Sequence, residues 1–191
     1  MKTEHRYAEI LKDMMAKMPL DSISVSALAK KAGTGRNTFY YHFHDIYDLL
    51  TQLFLDEKID KIADANTLDK LLETIYNYYL KNDKFIEATL SSAGKDLFSE
   101  FIFNNCYHSL LRMINLKSAA KTVPPVFKKS IARFYGSSIS QTIVFYFSNH
   151  RTKTLAGLKT SFLFLDRDFL DKAITNTLQN IYSQIDENEI K

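Results

Sequence analysis

The sequence predicts an all-α fold, and three observations support this prediction. The 191 residues include only five glycines and three prolines, so few positions interrupt a helix. Apolar residues recur at intervals of three and four, the spacing of one helix face, across most of the chain. No segment shows the sustained alternation of apolar and polar residues that indicates a half-buried strand.

The first helix is predicted from about residue 3 to residue 17. Pro19 ends it, because proline removes a backbone donor and clashes with the preceding turn. Its apolar stripe consists of Tyr7, Ile10, Leu11, Met14 and Met18.

Two short helices joined by a glycine-containing turn follow between residues 24 and 43. Ser24 is a favourable N-cap residue, and the turn 33–35 begins with a glycine that takes positive φ without steric cost. The second helix runs from Arg36 to Phe43, with Phe39 and Phe43 on its inner face. This pattern is typical of a helix-turn-helix, whose second helix enters the DNA major groove.

The outer face of that second helix carries side chains that reach base edges and phosphate oxygens. Residues 25–44 include three lysines or arginines and no acid, although the first 60 residues hold eight Lys or Arg against nine Asp or Glu. The basic character is therefore a local patch in a chain of net charge +3. The residues on this face and beside it are Lys30, Lys31, Arg36, Asn37, Tyr40 and His42.

Three stretches resemble the N-terminal domain of TetR-family transcriptional regulators. They are residues 32–33, residues 38–43 and residues 48–50, and the similarity extends over residues 7–55. The family usually has a lysine where this chain has Ile46, which removes one expected phosphate contact. The resemblance implies backbone contacts to DNA from Thr38, Tyr40 and His42, base-edge positions for Arg36 and Asn37, and phosphate proximity for Lys30 and Lys31.

A further helix is predicted to begin after Asp45, a plausible N-cap residue. Its apolar positions continue past Phe54 to Ile59 and Ile62, so we expect one unbroken helix that joins two domains. We place a DNA-binding domain at residues 1–55 and a ligand-binding and dimerisation domain at residues 56–191. The second domain is predicted to contain helices over about 67–81, 96–116, 126–149 and 166–185, with a basic loop at 150–160.

Polar groups lie among aromatic residues in the second domain, a mixture typical of small-molecule pockets. The alternative is that each polar tip is exposed or bonded to the backbone. Candidates for contact with an unknown small-molecule effector are Tyr76, Tyr79, His108, Arg112 and Tyr135.

The two long C-terminal helices carry more apolar surface than a small domain buries, which favours a symmetric homodimer. The alternative is that the stripes face the chain's own core. TetR-family proteins dimerise through their last two helices, and a two-fold dimer matches a palindromic operator. The predicted interface residues are Ser138, Leu170, Ile174, Leu178 and Ile181, with close helix approach at residues 136–140.

Other classes of function are disfavoured. Cys106 is the only cysteine, and His42 and His44 point to different helix faces, so no metal site is predicted. No catalytic or cofactor-binding motif is present. The charged N-terminus and the lack of a long apolar run predict a cytoplasmic protein without a membrane partner.

The sequence therefore predicts a DNA-binding transcriptional regulator without a cofactor or catalytic residues. The resemblance implies a ligand-responsive repressor that binds a double-stranded DNA operator as a homodimer. The alternatives are a TetR-like activator or coactivator that acts through a protein partner with weak or no DNA binding of its own, and an enzyme.

Overall fold

A computed structural model describes the backbone of residues 3–189 and the side chains of residues 3–183. The fold is all-α, as predicted, and no β-strand forms within residues 3–189. Short 3-10 turns occupy Leu20–Ser22, Ile62–Asp64 and Ser118–Thr122. The helices are α1 (Thr3–Met15), α2 (Val25–Ala32), α3 (Arg36–His42), α4 (Ile46–Asp56), α5 (Leu68–Lys81), α6 (Asp83–Leu90), α7 (Lys95–Leu116), α8 (Pro125–Asn149), α9 (Leu155–Thr160) and α10 (Phe169–Glu189).

Local capping sets the boundaries of the helix-turn-helix as predicted. The Ser24 hydroxyl accepts a hydrogen bond from the Ala27 amide at 3.2 Å, which begins α2. Gly33 ends α2 in the left-handed region at φ 67°. The Asp45 carboxylate accepts from the Asp48 amide at 2.8 Å, which begins α4. Helices α2 and α3 therefore meet at a turn that the sequence specifies locally.

Helix α1 is shorter than predicted, and this changes its buried face. Tyr7, Leu11 and Met15 are buried, whereas Met18 is exposed. Because α1 ends at Met15, Met18 lies outside the helix and is no longer in register with the stripe. Helix α1 packs against both α2 and α4.

The predicted continuous helix between the two halves of the chain is wrong. Helix α4 ends at Asp56, and Glu57 adopts an extended conformation with φ −69° and ψ 142°. Ile59 is buried from this extended segment rather than from a helix face. Lys61 then takes a left-handed conformation with φ 60°. The apolar spacing of Ile59 and Ile62 matched that of a helix, but both residues lie in a linker outside α4, where Ile59 is buried and Ile62 is partly buried.

The linker is held by α7. The Arg112 guanidinium donates to the backbone carbonyls of Ile62 at 2.7 Å and Ala65 at 3.2 Å. Phe54 at the end of α4 packs against the rings of Phe85 and Phe101, with centroids 5.7 and 5.5 Å apart. The first four helices and the later helices therefore share aromatic contacts as well as the linker.

Helices α7 and α8 form the most extensive helix pair among the described residues. Gly136 makes this close approach possible, because a Cβ atom at that position would lie 3.3 Å from the Tyr107 Cα. Gly136 and Ser140 are buried within the chain. The small residues at 136 and 140 therefore serve the chain's own packing, and the prediction that they face a partner subunit is wrong for these two.

The predicted basic loop at 150–160 contains helix α9. The Thr154 hydroxyl accepts from the Gly157 amide at 3.0 Å and begins this helix, and Leu158 is buried. Helix α9 packs against α5. None of the helices in the described part of the chain is long and apolar enough to cross a membrane.

Candidate nucleic-acid interface

Helix α3 is fixed by an aromatic anchor beneath it. Phe39 is fully buried, and its ring meets the Tyr7 ring edge-on at 5.4 Å and 87°. Phe43 is also buried and lies 5.5 Å from Phe39. Because these two residues face inward, most of the other side chains of α3 lie on the opposite surface.

That opposite surface is exposed, polar and basic. Arg36, Asn37, Thr38 and Tyr40 are all exposed, as predicted for residues that reach DNA. The Arg36 guanidinium lies 5.9 Å from the centre of the Tyr40 ring, a cation-π arrangement that orients both side chains. The Arg36 guanidinium can make a bidentate contact with guanine, and the Tyr40 hydroxyl can contact a phosphate.

Lys30 and Lys31 lie in the last turn of α2, next to the turn that leads into α3. Both are exposed. Within the described part of the chain neither lysine forms an ion pair, and Arg36 forms none either. Their charges are consequently available to phosphate groups at the edge of the same surface.

His42 differs from the other predicted contact residues. Its Nδ1 lies 3.1 Å from a carboxylate oxygen of Glu4, and its side chain is only 17% exposed. The imidazole therefore faces α1 rather than the open surface of α3. Its position allows it to orient the end of α3 through Glu4.

Tyr41 was not predicted from the sequence as part of the candidate DNA surface. It is the most exposed large hydrophobic side chain of this surface, at 84%, and its ring stands edge-on to His42 with centroids 5.0 Å apart. The signal was present in the spacing, since Tyr41 follows the buried Phe39 by two residues and therefore lies about 200° around the helix from it. Ile46, at the start of α4, is half-buried and packs against the core.

Two family models match the sequence. The model described as bacterial regulatory proteins of the tetR family matches residues 12–53, which include the helix-turn-helix. A model described as a transcriptional regulator C-terminal region, of the TetR type, matches residues 66–158. The chain belongs to the TetR family of transcriptional regulators. Proteins of this family bind DNA and are generally not enzymes.

Solved structures agree with the family fold. The dihydroxyacetone kinase operon activator DhaS is similar with a TM-score of 0.54 and 20% identity, over 96% of each chain. A tetR-family transcriptional regulator from Streptomyces coelicolor is similar with a TM-score of 0.53 and 13% identity, over 99% of this chain and 98% of that one. At these identities the likeness concerns the fold alone. No curated protein matches the sequence significantly.

The candidate effector residues of this TetR-family regulator are not gathered around one cavity. The Tyr76 hydroxyl donates to the Lys153 carbonyl at 3.0 Å. The Tyr79 hydroxyl donates to Glu87 at 3.0 Å, and its ring stacks on Phe147 at 4.4 Å. Burial raises the pKa of Tyr79 above its ordinary value, and the bond to Glu87 raises it further.

The remaining three candidates are dispersed. Arg112 donates to the linker carbonyls, so its guanidinium makes a structural contact within the chain. His108 is exposed. Tyr135 is half-buried and meets the Phe169 ring edge-on at 4.7 Å. The alternative of polar tips that are exposed or bonded to the backbone describes Tyr76, His108 and Arg112. The Tyr79 hydroxyl departs from it, because its acceptor is the Glu87 side chain.

The predicted dimer residues divide into two groups. Leu170 and Ile174 are buried within the chain itself, so their assignment to a subunit interface is corrected. Their stripe packs inward because α10 lies against α8 and the turn before α8. Ser138 is exposed, and Leu178 and Ile181 are half-buried.

Large apolar side chains are nevertheless exposed on these helices. Phe127, Phe134 and Phe145 of α8 are spaced by seven and eleven residues, which places them on one helix face. Phe134 is 69% exposed and Phe145 is 64% exposed. Tyr182 on α10 is also exposed. We refer to Phe127, Phe134 and Phe145 as the α8 stripe.

Proposed function

We propose that this TetR-family protein is a ligand-responsive repressor that binds a palindromic operator as a homodimer. The observation that carries the proposal is the outer face of α3, where Arg36, Asn37 and Tyr40 are exposed. Lys30 and Lys31 extend that face. A short, rigidly anchored helix with such side chains fits direct readout in the major groove.

The homodimer is inferred from the α8 stripe. One face of α8 is already buried, with Ile139, Ile143 and Phe147 in the chain's own core. The α8 stripe lies on the other face, where exposed aromatic rings indicate an interface with another molecule. Ser138 lies between Phe134 and Phe145 and permits close approach of a second copy of α8. A two-fold axis at this face would present two α3 helices to one duplex.

The effector is proposed to act by a population shift. A groove of about 310 Å³ lies between α4 and α7 and is lined by residues that include Phe54, Phe101 and Asn105. This volume is at the lower end of the range of small-molecule sites. A ligand that prefers one spacing of the two α3 helices would change operator affinity by its differential binding energy, typically about 1–3 kcal/mol.

A second candidate function is an activator or coactivator that works through a protein partner. Ile46 favours it, since this half-buried apolar residue stands where the family usually places a lysine at the DNA backbone. The name of the similar protein DhaS identifies that protein as an operon activator. On this alternative, binding of the protein to DNA alone would be weak or absent.

Binding of the purified full-length protein to a duplex from its own upstream region tests the proposal. If six or more phosphates are contacted, affinity should fall on the order of a thousandfold between 50 and 200 mM salt. A flat salt response, or no binding in a gel-shift assay, would favour the coactivator alternative. Transcription from the same promoter should rise when the gene is deleted if the protein is a repressor, and fall if it is an activator.

A further inference from the structure

Arg6 of α1 lies beside the turn of the helix-turn-helix. A Cβ atom at Gly33 would lie 3.7 Å from the Nη2 nitrogen of Arg6. Gly33 ends α2, so the Arg6 guanidinium reaches the point where the chain leaves α2 and turns toward α3. Arg6 was not among the residues predicted from the sequence to contact DNA.

The neighbouring residue fixes the first turns of α1 against this turn. Tyr7 is fully buried, and its hydroxyl forms a hydrogen bond with the Thr34 hydroxyl in the turn. The Thr34 hydroxyl also donates to the Ala29 carbonyl at 3.4 Å. The Tyr7 ring meets the Phe43 ring edge-on, with centroids 6.1 Å apart. Because Tyr7 is held at both its ring and its hydroxyl, the backbone of Arg6 has a fixed position beside the turn.

The charge of Arg6 is unpaired within the part of the chain that the structure describes. Arg6 is exposed, and no carboxylate there lies within ion-pair distance of its guanidinium. The nearest carboxylates in α1 contact other groups, since Glu4 lies 3.1 Å from His42 and Glu9 lies 3.5 Å from His5. A guanidinium has five N–H donors, so Arg6 retains a large capacity to bind oxygen atoms of another molecule.

Three further cations flank the same turn. Lys30 and Lys31 precede it in the last turn of α2, and Arg36 follows it as the first residue of α3. Residues 25–44 contain no Asp or Glu. Like charges gathered at one turn repel each other, and binding of a polyanion relieves this repulsion. Duplex DNA is such a polyanion, with one phosphate charge about every 1.7 Å along its axis.

We propose that Arg6 contacts a DNA phosphate, so that the nucleic-acid interface extends from α2 and α3 onto α1. The guanidinium binds phosphate oxygens beside the turn and reaches no base edge, so the contact does not depend on base sequence. The inference rests on the proposed function, because it requires that the protein bind duplex DNA.

DNA binding by four full-length proteins tests this contact: wild type, Arg6→Gln, Arg6→Lys and Lys17→Gln. The measurement is the slope of log Kd against log salt concentration for the duplex from the upstream region. Arg6→Gln should reduce this slope by about one per bound subunit, because one phosphate contact and its released counterion are lost. The loss of affinity between 50 and 200 mM salt should therefore shrink by a factor of about 3.5 per bound subunit.

Two variants and a second duplex make the result specific. Arg6→Lys keeps the charge and should keep the wild-type slope. Lys17→Gln removes the charge of an exposed lysine just after α1 and should leave the slope unchanged. A duplex of scrambled sequence and equal length should show the same change with Arg6→Gln, because phosphate contacts carry no sequence information. The Tm of each variant should stay within about 2 °C of the wild type, as for other exposed side chains.

A steep slope for the wild type and an unchanged slope for Arg6→Gln would overturn this inference and leave the operator-binding proposal standing. An unchanged slope with a lowered Tm would show instead that Arg6 stabilises the end of α2. An equal reduction by Lys17→Gln would also overturn it, because the effect would then follow net charge alone. If the wild type binds neither duplex, this inference and the operator-binding proposal both fail.

Discussion

The Nδ1 atom of His42 lies 3.1 Å from a carboxylate oxygen of Glu4, so the last residue of α3 faces the first helix of the chain. The sequence placed His42 among the residues that contact the DNA backbone. This geometry favours a positioning role, in which α1 fixes the C-terminal end of a helix of only seven residues. The two roles differ in their dependence on salt.

The first prediction separates these roles by the slope of log Kd against log salt concentration. Lys30→Ala should reduce the slope by about one, because one phosphate contact and its released counterion are lost. His42→Ala should weaken binding without changing the slope. Lys95→Ala, an exposed lysine at the start of α7, is the matched control and should change neither quantity. A reduced slope for His42→Ala would show that His42 contacts a phosphate.

The second prediction concerns base specificity. Arg36→Ala should relax discrimination at one base pair of each half-site by about 1–3 kcal/mol, since a bidentate contact to a base edge is lost. Tyr40→Ala should weaken binding to all duplexes by a similar factor, because a phosphate contact carries no sequence information. Competition with a set of single-base operator variants measures both effects. If both substitutions relaxed base-pair discrimination equally, the contact roles assigned to Arg36 and Tyr40 on the outer face of α3 would be wrong.

The third prediction tests the α8 stripe. Phe134→Glu places a charge at the centre of an exposed aromatic face and should convert a dimer to a monomer in sedimentation velocity. Operator affinity should fall with it, because a monomer presents a single α3 helix. The control is Leu80→Glu, which alters an exposed apolar residue on α5. This variant should remain a dimer. If the Phe134→Glu protein is still a dimer, the α8 stripe is not the dimer interface.

The fourth prediction concerns stability in acid. The hydrogen bond from Lys153, at 3.0 Å, and a second from Tyr79 hold the pKa of Glu87 below its ordinary value of 4.5. A carboxyl whose pKa is depressed by folding stabilises the protein above the unfolded-state value. This contribution is lost as the pH falls through the folded-state value.

Glu87→Gln should therefore lower the Tm near neutral pH and make the fall in Tm below about pH 4.5 shallower. The measurement is a series of melting curves from pH 7 to pH 3. Glu73→Gln removes a partly exposed carboxylate that pairs with Lys70 on the same helix, α5, and is the matched control. If the wild type and Glu87→Gln lose stability in parallel through the acid range, the bonds to Glu87 have no net effect on stability.

Much of the candidate DNA surface was predictable because its signals are local. Ser24 and Gly33 specify where α2 begins and ends through their own backbone preferences. The spacing of Phe39 and Phe43 determines which face of α3 is buried, and therefore which side chains are exposed. His42 could not be placed in this way, since its partner Glu4 belongs to another helix.

The sequence by itself determined the all-α class, the helix-turn-helix and most helix boundaries, because capping and periodicity act within a few residues. Only the tertiary structure decided that α4 ends at Asp56, since the apolar spacing of Ile59 and Ile62 is equally compatible with a continued helix. It also decided that Ile174 faces the chain's own core and that Arg112 binds the linker. An apolar stripe or a guanidinium group requires a partner. The positions of these residues along the chain do not specify which partner that is.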